Sequence, residues 1–402
     1  MGESSPLELA DIVRRFGKQF RERHHGHLPR HHLRVLQAVE QCRTPALGGH
    51  LYQCDHCATK QEVYNSCGNR HCPKCQSLER QRWLEKRSTE VLPVEYFHVV
   101  FTVPEQLNPL IWRNQELLYN LLFRCASQTL LRLGADPKHL GARLGFWAVL
   151  HTWGQTLTEH PHIHCLVPGG GISLDGQRWI SCRPGYLLPV AVLQSLFRGL
   201  FLSQLREMYQ AGKLAFPGQI EALQEAQAFQ TLLDSLYAKT WRVYSKPPFD
   251  GPDRMLRYLA RYTHRVAISN SRLVRLEGDR LTFTYKDYAQ GGRVKEMTLA
   301  ADEFLRRFLL HILPDRFVRL RSYGFLANRC RDPLLTLCQQ LLQQAPPAAA
   351  PEVSRQGWRE TVQRLTGRDP TVCPHCGQGH WILRGHLPRQ RPPPQSKGGA
   401  TG

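Results

Sequence analysis

Acidic residues are scarce in this chain. Its 402 residues include 33 Asp and Glu against 53 Lys and Arg, a formal net charge of +20 at pH 7 and a pI of about 9.7. That imbalance argues against a cationic partner and points to a polyanion, most simply nucleic acid. Long apolar runs are also missing: no stretch of 18 apolar residues occurs, so no transmembrane helix is expected. The opening MGESSPLELADIVRRFGKQF has no apolar segment between charged flanks, which excludes a secretory signal. No long internal repeat is present. These absences predict a cytoplasmic protein with no membrane partner, in a reducing compartment. What the chain does have is 13 cysteines and 19 histidines. Where thiols stay reduced, clustered cysteines point to metal before disulfides.

The length suits two or three domains with a sizeable core. Residues 7–25 read as a basic amphipathic helix, with Leu7, Ile12, Val13, Phe16 and Phe20 near helical spacing. A cysteine-rich, turn-rich stretch covers 42–75, and a charged helix covers 78–92, ending at Pro93. YFHVVFTVP, 96–104, is a strand, and 110–133 is helical. GFWAVLHTWGQ, 145–155, and HIHCLVP, 162–168, form a hairpin, with WISC, 179–182, as its expected third partner. Residues 189–240 are mostly helical, an insertion whose default role is packing. TWRVYSKPP, 240–248, returns to strand, and the helix GPDRMLRYLARYTHR follows, with Pro252 near its first turn. Two further strands flank Gly278-Asp279, a hairpin turn, and a helix covers 302–313. APPAAAPE, 345–352, is a linker, and the tail from 388 is disordered by composition. The domains expected are therefore 1–92 (helix and zinc-binding unit), 93–344 (catalytic unit) and 345–402 (linker, zinc knuckle and tail).

CDHC at 54–57 and CPKC at 72–75 each offer two thiolates to one ion, and tetrahedral zinc takes four. Cys54, Cys57, Cys72 and Cys75 are thus the default site. Cys42, His50, Cys67 and His71 lie nearby and would complete a second; either one or two zinc ions fit the spacing. CPHCGQGH at 373–380, with His386 beyond, offers a Cys2His2 set from Cys373, Cys376, His380 and His386.

EHPHIHCLVPGGG, 159–171, places His160, His162 and His164 at alternate positions. On a strand, alternate side chains share a face, so His162 and His164 form two legs of a divalent-metal site. The preceding strand offers Gln155 as a third ligand, opposite His162, with His151 as the other candidate; His160 either backs the ligands or belongs to the loop. The glycines that follow let the strand end sharply, near bound DNA. Tyr258 and Tyr262 share one face of a later helix, among Arg257, Arg261, His264 and Arg265. A metal beside a phenolate can break a DNA phosphodiester, forming a phosphotyrosine and freeing a 3′-hydroxyl. Two tyrosines permit two successive attacks, with Tyr262 expected first and Tyr258 second.

These pieces resemble a known family. PHIH resembles the motif of the histidine-hydrophobic-histidine endonucleases. CRTPALGGH, NSCGNRHCPKC, HTWGQ, HPHIHCLVPGGG, KPPFDGP and YLARYTHRVAISN together resemble the rolling-circle transposases of the insertion sequence ninety-one family, over residues 42 to about 270. The resemblance implies an α+β chain: an antiparallel catalytic sheet flanked by helices, preceded by a zinc-binding domain. It implies a bacterial, nucleoid-associated DNA transposase acting on single-stranded DNA at transposon ends and target. It also implies structural zinc, a magnesium or manganese ion on His162 and His164, and Tyr258 and Tyr262 as nucleophiles. Arg261, His264, Arg265 and Lys246 would contact DNA. Two rivals share these features in part: a replication initiator or plasmid relaxase with the same chemistry, and a non-catalytic zinc protein that binds nucleic acid.

Overall fold

Helix α1 (Leu9–Arg23) buries Leu9, Ile12, Val13 and Phe20 on one side, and Glu8 and Asp11 close a capping box at its start. The structure is a computed structural model, and it describes residues 7–75, 83, 87–246, 267–342, 359–360, 362–363 and 367–390. Helix α2 (Arg30–Gln41) packs on α1 through Val35, Leu36 and Val39. Strands β1 (Gly49–Cys54) and β2 (Lys60–Tyr64) then pair as a hairpin. Of the helix expected over 78–92, most lies outside the described residues.

The chain continues with β3 (Tyr96–Thr102), α3 (Asn108–Arg113) and α4 (Gln115–Ala135). It continues through β4 (Ala142–Arg143), β5 (Gly145–Trp153), β6 (Glu159–Pro168), β7 (Gly170–Ser173) and β8 (Trp179–Ser181). Helices α5 (Val190–Gln210) and α6 (Ala226–Ala238) lead to β9 (Arg242–Lys246). The antiparallel strands β10 (Leu273–Glu277), β11 (Arg280–Asp287) and β12 (Arg293–Ala300) precede α7 (Ala301–Leu310). Strand β13 (Leu320–Gly324), α8 (Arg331–Leu341) and β14 (Trp381–Leu387) complete the described elements.

Five strands form the central sheet in the order β13-β5-β6-β3-β9, every pairing antiparallel. One face carries Phe97, Val99, Phe101, Leu150, Ile163, Cys165, Val167 and Val243, all buried with α4 and α5. The helices of 189–240 therefore do pack: Phe197 of α5 lies 5.0 Å from the Phe101 ring, and Phe201 lies 5.2 Å from Trp241. Mixed helices and antiparallel sheets make this an α+β protein.

WISC is not the hairpin's third partner. β8 pairs with β7 in a separate sheet of order β4-β7-β8, while β3 and β13 flank the hairpin. That second sheet also corrects the role of the three glycines. The chain does not end sharply at Pro168 but passes through Gly169 directly into β7. A Cβ on Gly170 would stand 2.5 Å from the Ile180 carbonyl, and one on Gly171 2.5 Å from that of Arg143. Glycine is needed because two backbones close on β7 from both sides.

The tip of the β5–β6 hairpin reaches a different core. Leu157 is fully buried beside Trp153, Phe304 and Phe308, which pack with α1. Its φ is +60°, a conformation costing a non-glycine residue about 1–2 kcal/mol. Complete burial of a leucine contributes about 1.5–3 kcal/mol, so burial holds the strained tip in place.

The C-terminal segment does not stand alone as a knuckle. β14 joins β1 on the side opposite β2, pairing from Gly49 with Leu387 to Cys54 with Trp381 with one register shift between Leu51 and Tyr52.

Candidate functional site

The other face of the central sheet carries imidazoles. Register places His151 opposite His162, and Val149 opposite His164, so His151, His162 and His164 share that face. All three are buried, and their ligating nitrogens lie within 4.8 Å of one another. His162 Nδ1 stands 2.5 Å from the His160 carbonyl. A carbonyl only accepts, so Nδ1 carries the hydrogen and Nε2 is left as a lone-pair donor for a metal.

His164 Nδ1 lies 2.7 Å from His98 Nε2, with the two rings stacked at 4.9 Å. Burial, helped by the charge of Lys246, pushes His98 down to about 3, so it is neutral and can accept. In the tautomer in which His164 donates through Nδ1, its Nε2 also becomes a ligand atom. The sequence marks His98 only as part of a strand. The available signal was a lone imidazole inside the apolar run YFHVVFT.

Gln155 does not lie opposite His162. Strand β5 ends at Trp153, the register slips between His151 and Trp153, and Gln155 falls in the turn. There its Oε1 accepts from the Lys286 backbone at 3.4 Å. His151 takes the position foreseen for Gln155. Edge strand β9 continues the same face outward: Arg242, Tyr244 and Lys246 align with Thr102, Val100 and His98. All three are exposed, whereas Val243 between them is buried. Tyr258 and Tyr262, with Arg261, His264 and Arg265, lie outside the described residues.

The cysteines group differently from their spacing. Cys42, Cys67, Cys72 and Cys75 form one cluster, and Cys54 and Cys57 meet Cys373 and Cys376 in another. In the first, Cys42 and Cys67 each lie 3.6 Å from Cys75, sulfur to sulfur. Four sulfurs at about 2.3 Å from a tetrahedral zinc stand about 3.8 Å apart, so this cluster fits the ion. Cys42 caps the end of α2, which delivers it to the 67–75 loop. His71 belongs to neither cluster; it is buried, and desolvation holds it well below the usual imidazole range. Next to it, Arg70 donates to the Phe317 and Pro314 carbonyls at 2.6 and 2.8 Å, fixing the loop to the segment before β13. His50 and His386 also stand outside both clusters, Nδ1 to Nδ1 at 3.1 Å. His380 is exposed and meets Asp55 only through its backbone. Each Cys-x-x-Cys spacing fixes a pair, but which pairs share an ion is decided by sheet pairing, which spacing cannot show.

Comparison with known proteins places the chain. Residues 12–103 match a family model described as "Transposase zinc-binding domain", and residues 145–333 match one described as "Putative transposase". The "Putative transposase y4qJ" of Sinorhizobium fredii is 51% identical over 382 residues, covering 95% of this chain and 96% of that protein. This chain belongs to the insertion sequence ninety-one family of transposases. The "Transposase for insertion sequence element IS801" of Pseudomonas savastanoi pv. phaseolicola is 28% identical over 352 residues, covering 84% and 79% of the two chains. No solved structure matches.

The family resemblance read from the motifs is thus borne out, and so is zinc as a structural metal. The transposase is an enzyme acting on DNA. Among its described residues, no helix is long and apolar enough to cross a membrane.

Proposed function

We propose that the transposase nicks and rejoins single-stranded DNA at the ends of its element through 5′-phosphotyrosine intermediates. The observation that carries this reading is the buried imidazole face, with two of its three rings anchored through Nδ1. His151, His162 and His164 would hold one divalent cation, which, when bound, would supply Lewis-acid polarisation of the phosphoryl group. Magnesium and manganese both suit oxygen ligands, so water and a phosphate oxygen would fill the positions that the three imidazoles leave open.

Tyr262 attacks first. Its phenolic oxygen bonds to phosphorus, the P–O3′ bond breaks, and the strand leaves with a free 3′-hydroxyl. The phosphotyrosine conserves the bond's energy, so the reverse transfer needs no ATP. Tyr258 serves the second strand. Arg261, His264 and Arg265 neutralise backbone phosphate in the same sequence stretch. Arg242 and Lys246 flank the exposed Tyr244 beside the histidines. Cations around an aromatic ring suit an unpaired strand, which offers phosphates and a base face together.

The experiment incubates the protein with a labelled single-stranded element end and reads both nicking and covalent adduct. His162→Ala/His164→Ala should abolish nicking while leaving DNA affinity within about twofold, since those rings serve the metal rather than the charge footprint. His151→Ala should lose at least about tenfold in rate, and Gln155→Ala little. Tyr258→Phe/Tyr262→Phe should form no adduct. An adduct from that double variant would show that another residue is the nucleophile.

A further inference from the structure

Cys54 and Cys57 sit at the β1–β2 turn, and Cys373 and Cys376 sit ahead of β14, more than 300 residues along the chain. Yet Cys54 Sγ lies 3.7 Å from Cys376 Sγ, and Cys57 Sγ lies 3.8 Å from Cys373 Sγ. Both separations match the edge of a tetrahedral thiolate site with zinc–sulfur bonds of about 2.3 Å. Both are far longer than the roughly 2.05 Å of a disulfide.

The backbone around the four sulfurs is arranged for thiolates. The Cys57 N–H points to Cys54 Sγ at 3.5 Å, and the Gly379 N–H to Cys376 Sγ at 3.3 Å. Hydrogen bonds of this kind favour a charged sulfur. The two turns are also tied to each other. His380 N–H donates to the Asp55 carboxylate at 2.7 Å, and Asp55 N–H donates to the His380 carbonyl at 3.1 Å. A Cβ on Gly379 would stand 2.4 Å from Cys54 Sγ, so only glycine allows the second turn to come this close. Cys373 and Cys376 lie outside both stretches matched by the family models, 12–103 and 145–333.

We propose that Cys54, Cys57, Cys373 and Cys376 bind one zinc ion, separate from that of Cys42, Cys67, Cys72 and Cys75, and that this ion staples the C-terminal segment to the zinc-binding domain. The site is structural, because four protein sulfurs leave no position open for substrate. It makes the zinc module discontinuous: the chain enters it, builds the catalytic sheet, and returns to finish it.

The test measures metal in the full-length protein purified without added metal. Two zinc ions per chain are expected. Cys54→Ser/Cys57→Ser should retain one, Cys373→Ser/Cys376→Ser should retain one, and the protein with all four changes should still retain one. If the two pairs served different ions, the fourfold variant would hold none, and that result overturns the proposal. Iron in place of zinc would overturn the assignment of the metal, since four sulfurs also suit iron. A second measurement needs no cysteine change. With a protease site inserted within 345–352, the cleaved C-terminal fragment should stay bound until a zinc chelator releases it. Release before chelation, or retention after the zinc is gone, would overturn the staple.

Discussion

His311, at the end of α7, is fully buried and works only while neutral. Its Nε2–H donates to the Leu157 carbonyl at 3.1 Å, and its Nδ1 accepts from the Thr152 hydroxyl at 3.3 Å. Burial pushes it down to about 4 from the ordinary 6.5. The unfolded chain therefore takes up a proton that the folded chain refuses. This contribution to stability is complete above pH 6.5 and is lost as pH falls toward 4, by up to about 3 kcal/mol. His311→Gln keeps a donor but removes the titration. It should cost about 1 kcal/mol at pH 7.5 and then lose less than the parent on acidification. Urea unfolding at pH 7.5 and 5 reads both; equal acid slopes would show that another group dominates. At this scale the sequence was legible where partners are near. His162 and His164 alternate on one strand, so their shared face follows from the period. His98 and His164 are 66 residues apart, and only the pairing of β3 with β6 brings them together.

For elements, the passage from β6 into β7 depends on Gly171, whose Cβ position is occupied by the Arg143 backbone of β4. Gly171→Ala must push two strands apart or lose their pairing. It should lower stability by about 1–3 kcal/mol, read as a drop in thermal midpoint; an unchanged midpoint would mean that β4 gives way freely. Two apolar runs around a polar turn made the β5–β6 hairpin readable in advance. The register slip that strands Gln155 was not. It falls beside Pro161, which has no N–H to give the ladder, and the choice of where a ladder repairs itself rests on packing around the tip. The ring of Trp153 stacks on His151 at 4.6 Å, and Leu157 fills the far core. The core around Leu157 fixes the repair, and it draws members from α1 and α7, far off in the chain.

Across the whole molecule, an excess of 20 positive charges makes DNA binding a matter of counterion release. If about five phosphates are neutralised, log affinity for a single strand should fall against log salt with a slope of about −3.5. His162→Ala/His164→Ala should show the same slope as the parent. A flat dependence in titrations between 50 and 500 mM salt (roughly one decade) would show that charge does not carry the binding. The excess charge and the motif order were plain in the sequence. The sharing of cysteines was not, because two Cys-x-x-Cys pairs look alike until a sheet chooses between them.

The pairing of β1 with β14 also sets a timetable. Cys54 and its register partner Trp381 are 327 residues apart (381 − 54). At about 5–20 residues per second, translation leaves β1 waiting roughly 15–65 s for its second neighbour. During that time β1 offers an open strand edge, a template for association with other chains. A gene copy that has lost its final codons would never close that edge. Its product would keep every residue of the histidine face yet carry a permanent adhesive strand, which makes it a substrate for chaperones and proteases. Decayed copies of the element would then be cleared as protein, and would compete poorly with intact transposase for DNA.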